Sequence, residues 1–161
     1  MNVKEETIMK LMKLVLIFFM LLYAMSCATT PAKEESFSKN YKVIVVKNFS
    51  VSPTSAYPDS AGPALADRLV YWLRYYNSKL KFFDGVVLEG THEVEQDNIL
   101  LITGEFKGYS VYYQFFDEPT GTVTKEGEIP WKERNLGYMP RLIDLSANHI
   151  AKIVFSAKED K

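Results

Sequence analysis

Apolar and polar positions divide the chain into stretches with different periods. From Leu14 to Met25 every residue is apolar, and the run stops at the small residues Ser26, Cys27 and Ala28. Ala28 to Asn40 is polar. In Tyr41-Lys42-Val43-Ile44-Val45-Val46-Lys47 apolar side chains fall on both faces of an extended segment, which predicts a central strand covered on two sides. The Ser- and Pro-rich stretch Asn48 to Ser60 reads as a loop, and Asp59 or Ser60 is placed to cap a helix whose first turn accommodates Pro63. Leu65, Leu69, Trp72, Leu73 and Tyr76 then recur on one helical face, and the helix is expected to end near Asn77.

Further along, Leu80 to Leu88 reads as a strand with a bulge or turn at Asp84-Gly85. Ile99 to Gly104, running on through Phe106, reads as a second two-faced central strand. Val111, Tyr113 and Phe115 alternate with Tyr112, Gln114 and Phe116 in the next. Asp117-Glu118-Pro119-Thr120-Gly121 is a turn, from which Thr122 to Ile129 returns as an outer strand of a hairpin. Pro140 opens a last helix with Ile143, Ala147, Ile150 and Val154 on one face, widened by Leu142 and Ile153. This order predicts an α/β (α+β) fold, a mixed sheet of about five strands with two main helices packed on one face.

Twelve apolar residues as a helix span roughly 18 Å, short of the ~30 Å hydrocarbon core of a bilayer, and Lys10 and Lys13 precede them. That is the order of a cleavable export signal, residues 1–26. Glu5 and Glu6 sit oddly in a basic leader, whereas translation from Met9 would leave a clean one. Ala24-Met25-Ser26-Cys27 resembles the bacterial lipobox, departing from it in having Ala24 where leucine is usual. The resemblance implies that Cys27 receives lipid and becomes the mature N-terminus. It also gives the chain's one cysteine a use, since an exported thiol without a disulfide partner otherwise has none. By the same resemblance, Ala28 after the cysteine implies the inner leaflet of the outer membrane, facing the periplasm, with the inner membrane as the alternative. Residues 27–40 are then a lipidated tether, of which Ala28 to Asn40 reach about 45 Å at full stretch. Residues 41–157 form a single domain and 158–161 a frayed tail.

Removing Lys4, Lys10, Lys13, Glu5 and Glu6 leaves 16 basic and 18 acidic residues, a charge that gives no field to hold nucleic acid. With 47% hydrophobic and 14% aromatic residues there is ample apolar surface for one core.

Val43 to Phe49, the helix Leu65 to Tyr76, the strand Leu100 to Phe106, and Asp117 to Val123 followed by a terminal helix together resemble a known group. It comprises small exported lipoproteins related to the curli-secretion channel subunit and to the N-terminal domain of the Tol system's periplasmic protein. The resemblance covers most of Tyr41 to Ala157 and implies a lone domain of the shared fold, an accessory to an envelope assembly. Two departures matter: the chain lacks spare alternating segments for membrane hairpins, and it lacks a β-propeller.

Material for catalysis is thin. His92-Glu93-Val94-Glu95-Gln96 lacks the second histidine of a zinc-protease helix, and His92, Glu93, Glu95 and Asp97 read as a solvated connection rather than a cation site. His149, beside Ile150 and Ile153, reads as a histidine at the edge of a core. No Gly-x-Ser-x-Gly elbow or phosphate-cradling loop is present, and no catalytic residue, metal or cofactor is assigned. Asp67, Asp84, Glu105, Asp117 and Asp144 are each accounted for by a helix turn, a loop turn or a strand edge.

The distinctive feature is aromatic. Tyr71 and Tyr75 form an i, i+4 pair turned away from the apolar stripe, and Tyr109, Tyr112, Tyr113 and Trp131 follow. Tyr71, Tyr75, Tyr112 and Trp131 either present one surface to an envelope protein or glycan, or cover sheet edges and helix flanks. Tyrosine suits both roles. The reading is a non-enzymatic, lipid-anchored binding or assembly module; its rivals are a ring-forming secretion-channel component and a cryptic envelope hydrolase.

Overall fold

The computed structural model describes residues 40–91, 98–132 and 138–156. Strands β1 (Val43–Val46) and β2 (Ser50–Val51) lead into helix α1 (Ala61–Leu80) and strand β3 (Gly85–Leu88). Strands β4 (Ile99–Lys107), β5 (Ser110–Asp117) and β6 (Thr122–Pro130) follow, and helix α2 (Met139–Ser156) closes the order. The fold is the expected α+β class, with six strands in one mixed sheet ordered β3-β1-β4-β5-β6 and β2 paired to β4.

β1 lies between β3 and β4, parallel to both, with Ile44 and Val46 fully buried on one face; on the other face Val45, beside Val87 and Leu101, is only half-buried, so the cover expected on two sides is complete on one. β4, β5 and β6 form an antiparallel meander, with a register shift between Phe115 and Phe116 where β5 meets β6. Alternation sends Ile44, Val46, Leu100, Ile102, Val111 and Phe115 to one face, all fully or nearly fully buried. α1 brings Leu65, Leu69 and Leu73 to that core, and α2 brings Ala147, Ile150 and Val154. Arg68 and Trp72 meet Asp144, while Tyr76 meets Asn148 and Phe155, so the two helices run in the same direction.

Two local expectations are corrected. α1 does not stop near Asn77 but continues to Leu80, and residues 80–84 are not strand; β3 begins at Gly85. The reason is Asn77 itself. Its side chain accepts the Phe82 and Phe83 N–H groups and donates to the Phe83 carbonyl oxygen, holding the chain just beyond the helix. Lys81, at φ 51°, provides the left-handed residue that ends the helix, its N–H bonding the Asn77 carbonyl oxygen. Within the expected loop Asn48 to Ser60, β2 forms a short parallel pairing with Glu105 and Phe106. Ser60 occupies the α1 N-cap, but its side chain makes no capping bond.

Candidate functional site

The apolar face of α1 is used up by the core, which leaves Tyr71 and Tyr75 in solvent, 51% and 40% exposed. They are four residues apart and therefore lie on one side of the helix, with Trp72 rotated toward α2 beside them. Tyr71 meets Trp72 at 5.3 Å between ring centroids and 80° between planes, and Trp72 meets Tyr75 at 5.5 Å and 86°. Both tyrosines thus stand edge-on to the indole, the geometry that ring quadrupoles favour. Each also carries a cation: the Arg68 guanidinium carbon lies 4.5 Å from the Tyr71 ring centre, and Lys79 Nζ lies 4.1 Å from that of Tyr75.

One flank of this cluster is a clamp between helices. Arg68 Nε and Trp72 Nε1 both donate to Asp144 Oδ1, the latter at 2.8 Å, and the Tyr76 hydroxyl donates to Asn148 Oδ1 at 2.8 Å. Partial burial pushes the Asp144 carboxyl up, but the two donors and the Arg68 charge outweigh it and hold the group below the usual carboxylate range. The other flank is open. A groove of about 680 Å³ runs between α1 and the end of β3, lined by Asp67, Val70, Tyr71, Arg74, Tyr75, Leu88 and Thr91. Arg74 Nε donates to the Val86 carbonyl oxygen at 3.0 Å, which fixes the guanidinium at the groove.

The four aromatic candidates do not make one surface. Tyr112 alternates with the buried Val111 and Tyr113, so it points from the sheet face opposite the helices. There it borders a trough of about 790 Å³ with Glu105, Gln114, Glu126 and Glu128. Glu128 accepts from the Ser110 hydroxyl at 2.6 Å and Glu126 from the Gln114 amide at 3.2 Å. Trp131 is half-buried, its Nε1 donating to the Ser146 hydroxyl of α2 at 3.1 Å, so it ties the end of β6 to a helix. Only Tyr71 and Tyr75 come together.

Arg68 and Arg74 were not singled out from the sequence, and Asp67 was read there only as a helix-turn residue, although each stands three or four residues from a tyrosine of the pair, a spacing that marks helical neighbours. His149 is exposed on α2. Cys27, His92, Glu93, Glu95 and Asp97 lie outside the described residues. Among the described residues, no three His, Cys, Asp or Glu side chains converge as metal ligands, and no helix is long and apolar enough to cross a membrane.

No protein-family model and no curated protein matches the sequence. In structure the chain is similar to the PelC dodecamer from Paraburkholderia phytofirmans, at 14% identity over 73% of this chain and 89% of that one, TM-score 0.45. A protein from Xanthomonas campestris aligns at 12% identity over 78% and 86%, TM-score 0.39. A homolog of neuraminyllactose-binding hemagglutinin from Helicobacter pylori aligns at 13% over 81% and 89%, TM-score 0.38. All three lie too far from this chain for a partner or an activity to be carried over. These comparisons do not show the resemblance to the curli and Tol groups expected from the sequence.

Proposed function

We propose that the chain is a lipid-anchored, periplasm-facing binding or assembly module of the bacterial envelope, acting by non-covalent capture and not by catalysis. The observation that carries this reading is the pair Tyr71 and Tyr75, held by Trp72 and two cations yet left in solvent. A ring fixed before contact loses little side-chain freedom on binding, and tyrosine with arginine is the chemistry enriched where a few residues dominate an interface. The export signal and Cys27 support the address.

The test is a photoreactive residue at position 75 in living cells, paired with the double variant Tyr71→Ala/Tyr75→Ala. The expected outcome is a discrete adduct, with the double variant folded and its partner held at least about tenfold more weakly. Absence of an adduct, together with a marked fall in melting temperature for the double variant, would make these rings packing residues and overturn the reading. Loss of function in His149→Ala alone, with folding intact, would favour a hydrolase.

A further inference from the structure

We infer that the groove beside Tyr71 and Tyr75 takes a glycan chain bearing carboxylate sugars; this rests on the binding role proposed for that pair. Along α1 the groove presents, in order, a carboxylate at Asp67, a ring at Tyr71, a guanidinium at Arg74 and a second ring at Tyr75. A sugar has hydroxyls that both donate and accept around its rim and C–H groups across its faces. It therefore needs an acceptor, a donor and flat apolar walls close together, the set this stripe offers. Arg74 spends Nε on the Val86 carbonyl oxygen, a bond that leaves the terminal N–H groups of its fork for a sugar carboxylate.

Charge points the same way. α1 with its cap and α2 carry Arg68, Arg74, Lys79, Lys81, Arg141 and Lys152 against Asp67 and Asp144, a net of four positive charges. The strands and turns among the described residues carry five basic and eight acidic residues. The groove lies between α1 and the end of β3, so the basic helix layer forms one of its walls, and an anionic ligand is drawn to that wall.

Two other occupants fit less well. An extended peptide adding to the β3 edge would need free outward carbonyls, but Val86 O is taken by Arg74 and Leu88 O by the Thr91 amide and hydroxyl. An anionic bilayer is a broad, flat surface and would not reach into a groove set between α1 and the end of β3.

Calorimetric titration of the full chain in detergent micelles, with tetragalacturonic acid as probe and maltotetraose as neutral control, tests the inference. Expected is saturable binding of the uronate that exceeds the neutral sugar and weakens with added salt. It should fall about tenfold or more in Tyr71→Ala/Tyr75→Ala and in Arg74→Gln, each still folded by its melt, and hold in Glu126→Gln on the opposite face. Failure to bind, equal binding of the neutral sugar, or an equal loss in Glu126→Gln would overturn it. So would binding to anionic vesicles that the uronate does not compete away. A protein adduct at position 75 without uronate binding would overturn this inference and leave the proposed function standing.

Discussion

Gly104 shows how much one absent side chain decides. A Cβ there would collide with the Tyr112 carbonyl oxygen and the Phe49 ring, which fills the space the glycine leaves beside β4. Gly104→Ala is therefore expected to cost about 1–3 kcal/mol through overpacking, read as a lower urea midpoint. Gly85→Ala is the control, since its Cβ would meet only the Val43 methyls, 3.9 Å away at the nearest. Equal midpoints for the two variants would refute the assignment. Asp144 decides in another way. Because its folded pKa is depressed, its stabilisation is present above the ordinary carboxylate range and is lost as pH falls through the lowered value. Wild type should melt above Asp144→Asn at neutral pH, and the gap should close on acidification. A gap that does not change with pH would mean the charge contributes nothing, and the pair is exposed enough for solvent to reduce its worth.

At the scale of elements, each helix was legible from its apolar stripe, because a 3.6-residue period names the side that must leave water. Leu69 and Ile150 sit mid-stripe, and both are fully buried. Replacing either with Asp puts an unpaired charge in the core, an expected loss of several kcal/mol against a total of about 5–15, so neither variant should fold cooperatively. Thermal melts that match wild type would place the core elsewhere. The end of α1 was not legible. Asn77-Ser78 has the composition of a helix stop, but here Asn77 bonds forward to residues five and six positions on, and only the path of the returning chain makes those partners available. β2 was hidden for a related reason: two residues have no period, and they become strand through the neighbour at Glu105 and Phe106.

For the whole molecule, the anchor and the binding face are separate claims with separate tests. Metabolic labelling with a fatty-acid analogue should tag the wild-type chain and leave Cys27→Ser untagged and released from membranes. Unchanged labelling and membrane retention in Cys27→Ser would sink the lipoprotein reading in favour of a signal anchor. The binding claim concerns only the helix layer. Tyr71 and Tyr75 face solvent beside a groove, Tyr112 stands on the opposite face and Trp131 is bonded to α2, so a defect confined to the double tyrosine variant identifies the face in use.

Local pattern was enough to determine which residues leave water, and hence the two helices, the central apolar strands and the α+β class, because burial follows a period that can be read along the chain. The same reading found the tyrosine pair, since i and i+4 share a helix side whatever the fold. Tertiary structure alone decided that β1 lies between β3 and β4, that Tyr112 and Tyr71 belong to different layers, and that Arg68 meets Asp144 from 76 positions away. Those outcomes depend on strand order and helix direction, which pair residues distant in sequence, and no local period encodes which distant segment becomes a neighbour.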